Sequence, residues 1–253
     1  MILVLPDIHG RTFWKKKCQD ITKYDRVIFL GDYFDPYDFE HITVKDAIKN
    51  FKEILELKKN NFDKVVLLLG NHDMAYYSQY YYNRYDYHCR HSKKFHDEIS
   101  NMFNEHHDWF KLIHIEDNIV FSHAGIREDW IKLMNKQFRK NNLPVIEIKE
   151  IPNDFLKLNN ILNTEQEGGL GDFVSMYRGS ISPVGSCVWA DVHEHHFPDG
   201  YDKIKQVFGH TLQAMYNSRG GISYGKPLIT DRYMMLDNCK AYELDTRTFE
   251  VSV

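Results

Sequence analysis

Long apolar runs are missing from this chain of 253 residues. No stretch approaches the ~20 consecutive apolar residues that a membrane-crossing helix needs. A basic leader is missing too: the chain starts MILVLPDIHG, and its apolar run lasts only from Ile2 to Leu5, too short for a signal peptide. With chemistry-bearing residues already at Asp7 and His9, the expected location is the cytoplasm. Cysteine is sparse and scattered, at Cys18, Cys89, Cys187 and Cys239, with no CxxC pair. A disulfide framework needs a denser, smaller chain, so four reduced thiols are expected. A basic excess is also lacking. Lys and Arg number 32 against 36 Asp and Glu, a formal net charge of -4, which argues against tight nonspecific nucleic-acid binding. Internal repeats are not visible and no Pro/Gly/Ser-rich linker divides the chain, so one domain over residues 1–253 is expected.

What is present is an ordinary globular composition, with 43% hydrophobic and 27% charged residues. Short β-branched runs recur at Ile2–Leu5, Val27–Leu30, Val65–Leu69, Ile119–Phe121 and Val207–Phe208, each followed at once by polar residues or glycine. They read as buried strands. Between them, Thr43 to Lys59 puts Val44, Ala47, Ile48, Phe51, Ile54, Leu55 and Leu57 largely on one helical face, and Thr43 with Asp46 forms an N-cap signal. Glu128 to Arg139 reads as another helix. Alternating strands and helices predict an α/β architecture. Near the end, Leu228 to Leu236 and Ala241 to Val253 read as consecutive strands joined by a turn at Asp237-Asn238, forming a sheet edge or a second sheet. The segment from about 74 to 107 reads as a helical insertion. It carries tyrosines at 76, 77, 80, 81, 82, 85 and 87, with Arg84 and Arg90. Its tyrosines either pack the insertion or form a lid that recognises substrate.

The chemistry concentrates where strands end. Asp7 and His9 follow the first strand, Asp32 the second, Asn71 and His72 the third, His123 the fourth and His210 the fifth. Each motif alone is weak; five in this order, each beside a glycine, are hard to ascribe to chance. Strand carboxyl ends are where ligands bind in open α/β sheets. One cation can take Asp7, His9 and Asp32. A second can take Asp32, Asn71, His123 and His210, with Asp32 bridging through its two oxygens. Mixed nitrogen and oxygen donors suit Mn, Fe, Zn or Co better than a thiolate-selective metal. Two such ions sit ~3.5–4 Å apart, and a hydroxide shared between them would be the nucleophile.

The series Asp-x-His-Gly, Gly-Asp-x-x-Asp, Gly-Asn-His-Asp, His-Ala-Gly and Gly-His-Thr resembles the calcineurin-like metallophosphoesterases. Within them the chain most resembles the serine/threonine protein phosphatases and the symmetrical diadenosine tetraphosphatases. Val188-Trp189-Ala190-Asp191 resembles a segment of the former; Gly125-Ile126 and Trp130 lean towards the latter. The resemblance implies a four-layer double β-sandwich flanked by helices, and two divalent metal ions, with manganese first and iron, zinc, nickel or cobalt as alternatives. It implies that His72 protonates the leaving oxygen as general acid. It further implies that Asp35 orients His72 and holds its proton; Asp73 is the alternative orienter.

One departure stands out. The phosphatases and diadenosine enzymes carry a phosphate-gripping arginine shortly after Gly-Asp-x-x-Asp, where this chain has Pro36 and Tyr37. Arg178 is the preferred substitute, followed by Arg84, Arg90 and Arg127, since a guanidinium fork suits a phosphate. The expected activity is hydrolysis of a phosphate monoester, on a phosphoprotein or a small molecule. The alternative is a nucleotide-directed hydrolase of a diadenosine polyphosphate or a cyclic phosphodiester, with tyrosines stacking on bases. A catalytically inert binding module is a third reading. His193-Glu194-His195-His196 superficially resembles a zinc-protease helix motif, but Phe197 stands where its second histidine belongs.

Overall fold

The computed structural model describes residues 1–79, 81–82, 90–146, 184–196, 204–216 and 222–253. The five apolar runs, with two short strands more, build the parallel parts of two sheets. The first sheet holds β1 (Ile2–Leu5), β2 (Arg26–Phe29), β3 (Val65–Leu68), β4 (Phe110–Lys111), β12 (Tyr242–Asp245) and β13 (Glu250–Ser252), in the order β13-β12-β1-β2-β3-β4. Strands β1 to β4 are mutually parallel, and β12 joins β1 antiparallel. The second sheet holds β5 (Ile113–Glu116), β6 (Ile119–Ser122), β7 (Lys205–Phe208), β10 (Leu228–Ile229) and β11 (Tyr233–Met235), in the order β10-β11-β7-β6-β5. Here β6, β7 and β11 run parallel. A separate hairpin pairs β8 (Ala214–Tyr216) with β9 (Ile222–Tyr224).

The period-2 alternation of strand side chains decides what each sheet face touches. Ile2, Val4, Ile28, Leu30, Val66 and Leu68 share one buried cluster with Ile119, Phe121, Val207 and Met234, so the two sheets pack face to face. The intervening Leu3, Leu5, Val27, Phe29, Val65 and Leu67 share another with helix residues. Those come from α2 (Val44–Asn60), through Ala47, Ile48, Phe51, Ile54 and Leu55, and from α4 (His96–Glu105), through Ile99 and Phe103. Val120, pointing away from the second sheet's inner face, belongs with Trp130, Ile131, Met134 and Phe138 of α5 (Glu128–Lys140). The result is two sheets flanked by helices in a mixed α/β fold, as the resemblance implied. Each fully buried Val, Leu, Ile or Phe contributes about 1.5–3 kcal/mol to that packing.

The helix signals hold closely. Thr43 caps α2 with the complete capping box, its hydroxyl accepting from the Asp46 N–H while Asp46 accepts from the Thr43 N–H. The C-terminal reading needs two corrections. Leu228 to Leu236 is not one strand but two: β10 and β11 pair antiparallel around a turn where Thr230 accepts backbone N–H bonds from Arg232 and Tyr233. Ala241 to Val253 likewise folds into the hairpin β12–β13. The turn at Asp237-Asn238 does not join neighbouring strands. It carries the chain from the second sheet (β11) to the first (β12). Both sheets need a strand there, and a one-residue alternation cannot say to which sheet a strand belongs. Among the described residues, no helix is long and apolar enough to cross a membrane, and Cys18, Cys187 and Cys239 are free thiols.

Candidate metal and phosphoester site

Both sheets deliver side chains to one place. From the first come Asp7 and His9 after β1, Asp32 and Asp35 after β2, and Asn71 and His72 after β3, opening α3 (Asn71–Tyr77). From the second come His123 after β6 and His210 after β7. All eight are buried. Four of them hold left-handed backbone: His9 at φ 42°, Asp32 at 53°, Asp35 at 57° and His210 at 71°. That region costs non-glycine residues roughly 1–3 kcal/mol each, and it clusters at functional sites. The loops are clamped against this strain. The His9 N–H donates to the Asp32 carbonyl at 2.6 Å and the Gly10 N–H to the Tyr33 carbonyl at 3.0 Å. The His210 N–H donates to the Asp7 carboxylate at 3.0 Å. A side chain at Gly70 would run into the Asp32 carboxylate, and one at Gly209 into that of Asp7. These glycines are dictated by close approach.

Asp73 is the central clasp. It accepts from the N–H groups of Asp32 (2.7 Å), Tyr33 (2.9 Å) and Gly70 (2.9 Å), tying the β2 loop to the β3 loop. Burial and the Asp32 charge push its carboxyl up, while the N–H donors of Gly70 and Tyr33 pull it back. Asp73→Ala would leave three buried donors unsatisfied, at about 1–3 kcal/mol each. The expected loss is at least about 3 kcal/mol in urea unfolding, and a loss below about 1 kcal/mol would contradict the clasp.

The histidines are set as metal ligands are. His9 Nδ1 lies 2.6 Å from the Phe34 carbonyl, and His123 Nδ1 lies 2.9 Å from the Leu30 carbonyl. A carbonyl only accepts, so Nδ1 carries the proton and Nε2 offers its lone pair inward in the neutral ring. His123 Nε2 stands 3.0 Å from Asn71 Oδ1, 3.2 Å from His210 Nδ1 and 3.4 Å from Asp32 Oδ2. His9 Nε2 stands 3.4 Å from the same Asp32 oxygen. Acceptor atoms crowded in this way call for a cation between them. Two trios have donor atoms close enough to share an ion: Asp7, Asp32 and His123, and His9, Asp32 and His72. Asp32 belongs to both.

The electrostatics agree. Burial pushes the Asp7 carboxyl up, and the Asp32 charge adds to it. Burial also opposes the Asp32 charge, yet His123, His72 and His9 hold it well below the usual carboxylate range. Burial drives His9 well below the ordinary histidine value. Against burial, Asp32 and Asp7 push His123 up to about 10. The cluster draws positive charge into a dry place, the fit expected for divalent cations.

Beside the cluster, His72 Nδ1 meets Asp35 Oδ2 at 2.9 Å, and the His72 ring stands 5.0 Å from that of His9. Asp73, the alternative orienter, is occupied by its three backbone donors. The Trp189 ring lies edge-on to His210 at 5.6 Å, so the Val188–Asp191 segment also reaches the site. Of the four candidate arginines, Arg84 and Arg178 lie outside the described residues. Arg127 is buried with Asp129 and Glu194 as its ionic partners. Arg90 donates from Nη2 to the Asp35 carbonyl at 2.9 Å and stacks on Tyr37 at 3.8 Å, and Tyr37 in turn lies edge-on to His9. The His193–His196 stretch belongs to a short 3-10 helix, Val192–His196. Glu194 accepts from the N–H groups of Gly185 and Asp191, and the His195 ring bonds the Ala124 carbonyl.

Three neighbours were not assigned a part in the metal cluster or its general acid from the sequence. Arg11 is buried and donates to the Asp7 carbonyl at 3.1 Å and to Glu40 at 2.6 Å. Asp237 is buried, its carboxyl pushed well up by burial and by the Asp7 charge. Tyr76 bonds Asp35. For Asp237 a signal existed: it follows β11 as Asp7 follows β1.

Comparison with known proteins gives the class. A family model described as calcineurin-like phosphoesterase matches residues 1–214. Curated proteins give no match. Among solved structures, a cold-active protein tyrosine phosphatase is similar with a TM-score of 0.53 and 15% identity, over 94% of this chain and 69% of that one. A protein serine/threonine phosphatase from Saccharomyces cerevisiae, with similarity to human phosphatase PP5, gives a TM-score of 0.43 and 15% identity, over 93% of this chain and 66% of that one. The first likeness is one of fold. Fold and family together define a hydrolase, a metal-dependent phosphoesterase. The chain belongs to the calcineurin-like phosphoesterase family.

Proposed function

We propose that this chain hydrolyses phosphate monoesters, borne by a phosphoprotein or a small molecule, with two divalent cations, manganese foremost. Asp7, His9 and Asp32 would hold one cation, and Asp32, Asn71, His123 and His210 the other. The observation that carries the reading is Asp32 Oδ2, which lies 3.4 Å from both His9 Nε2 and His123 Nε2, within reach of a member of each ligand group. Bound there, the cations would supply a water ionised near neutral pH and neutralise phosphoryl charge.

The protein's own residues do the rest. Asp35 anchors Nδ1 of His72, leaving Nε2 to hand a proton to the leaving oxygen. The phosphate grip falls to Arg90. Its hydrogen bond to the Asp35 carbonyl places it next to the position where the family's arginine is missing, and its guanidinium fork suits a phosphate. Stacking on Tyr37 holds the guanidinium plane.

The test is a substrate panel of p-nitrophenyl phosphate, bis-p-nitrophenyl phosphate, a phosphopeptide and diadenosine tetraphosphate. Each is assayed with Mn, Co, Ni, Zn and Mg. Turnover of the two monoesters, fastest with manganese, is expected. Preference for the diester or for diadenosine tetraphosphate would replace this reading with the nucleotide-directed one. A metal-loaded chain inert towards all four would point to a binding module.

A further inference from the structure

Tyr76 stands one turn after His72 on α3, so both side chains rise from the same helix face. Its hydroxyl donates to Asp35 Oδ1 at 2.7 Å, while the other oxygen of that carboxylate, Oδ2, meets His72 Nδ1 at 2.9 Å. The same phenol oxygen accepts from the Ser92 N–H at 2.6 Å. Arg90 meanwhile holds the Asp35 backbone through its carbonyl. The phenol ring is fixed by Phe34, His91 and His96, with ring centroids at 5.5, 5.7 and 5.8 Å.

A carboxylate held at one oxygen can swing about its terminal torsion, which is broad and soft. Held at both oxygens, its plane is set, and so is the imidazole bonded to it. Asp35 itself sits on a left-handed backbone, a conformation that persists only where surrounding contacts hold it.

We propose that Tyr76 is a positioning residue for the general acid, forming with Asp35 and His72 a chain of three that sets the angle at which His72 presents its proton. The proposal rests on His72 acting as acid. It also gives residues 90–92 a part in the chemistry, because Ser92 holds the phenol and Arg90 holds the Asp35 loop.

The readout is leaving-group selectivity, which a packing role would not move. An alkyl phosphate such as phosphoserine in a peptide expels a basic alkoxide and depends on the acid. p-Nitrophenyl phosphate expels a weakly basic phenolate and depends on it little. Tyr76→Phe keeps the ring and removes only the hydroxyl. On the phosphoserine peptide, kcat should fall about 10–100-fold with KM changed less than about 2-fold, a loss of the size misalignment produces. On p-nitrophenyl phosphate kcat should fall less than about 3-fold, the retained rate itself showing an intact site. His72→Asn, run alongside, should show the same selectivity more strongly. Equal losses on both substrates, or no loss on either, would overturn the proposal. Wild-type protein inert towards both monoesters would remove the phosphatase reading itself, and the proposal with it.

Discussion

His72→Asn is expected to lower kcat on an alkyl phosphate by about 10²–10⁴-fold, the usual worth of a positioned proton donor, with both metals still bound. The geometry explains the split. The His72 side chain bonds Asp35, while its backbone N–H, which the substitution keeps, donates to Asp32 Oδ1 at 2.9 Å. The helix start and the Asp32 carboxylate therefore stay where they are. Asn can still donate to Asp35 but cannot deliver a proton from the far side of a ring. Elemental analysis of the purified variant, beside its steady-state rates, checks both halves. Unchanged turnover of the alkyl phosphate would refute the acid role. Loss of metal along with activity would make His72 a ligand, which its place in a trio with His9 and Asp32 makes a real competing outcome.

Asp32→Asn should do more damage and do it evenly. Asn tolerates the left-handed backbone at this position, and its volume matches, so the loop should keep its shape. What changes is the charge shared by His9 and His123, and one oxygen becomes an NH2 that cannot bind a cation. Content of both divalent ions should fall. With them would go the lowering of the bound water's pKa towards neutrality, so activity should drop by at least about 10³-fold on every substrate. Even loss on p-nitrophenyl phosphate and on phosphoserine is the signature separating this variant from His72→Asn. Two ions per chain retained with near-normal turnover would leave the bridging role without support.

The proposed ligands could be found in the sequence because they obey a local rule. A short β-branched run, then glycine, then a side chain able to hold a metal describes Val27 to Asp32 and Val65 to Asn71, where strand burial and the turn are both near-neighbour effects. What could not be read is distance. That Ser92 holds the phenol of Tyr76, that Arg90 bonds the Asp35 carbonyl and that Arg11 braces Asp7 depends on bonds that no strand or helix periodicity encodes. Asp237 was passed over because a turn between two consecutive strands is the ordinary reading of Asp-Asn. Nothing local says that the strands on either side join different sheets.

The sequence by itself determined the five buried strands that lead into the site, the helices α2 and α5, and the residue types at the strand ends. Backbone periodicity and capping act within a few residues, as the Thr43–Asp46 box does. Only the tertiary structure decided that the five strand ends come from two facing sheets, and that one oxygen of Asp32 stands between His9 and His123. It also decided that Asp35, not Asp73, meets the His72 ring. Those outcomes are set by packing between elements up to two hundred residues apart, such as the His210 N–H on the Asp7 carboxylate, and no sequence window contains both partners.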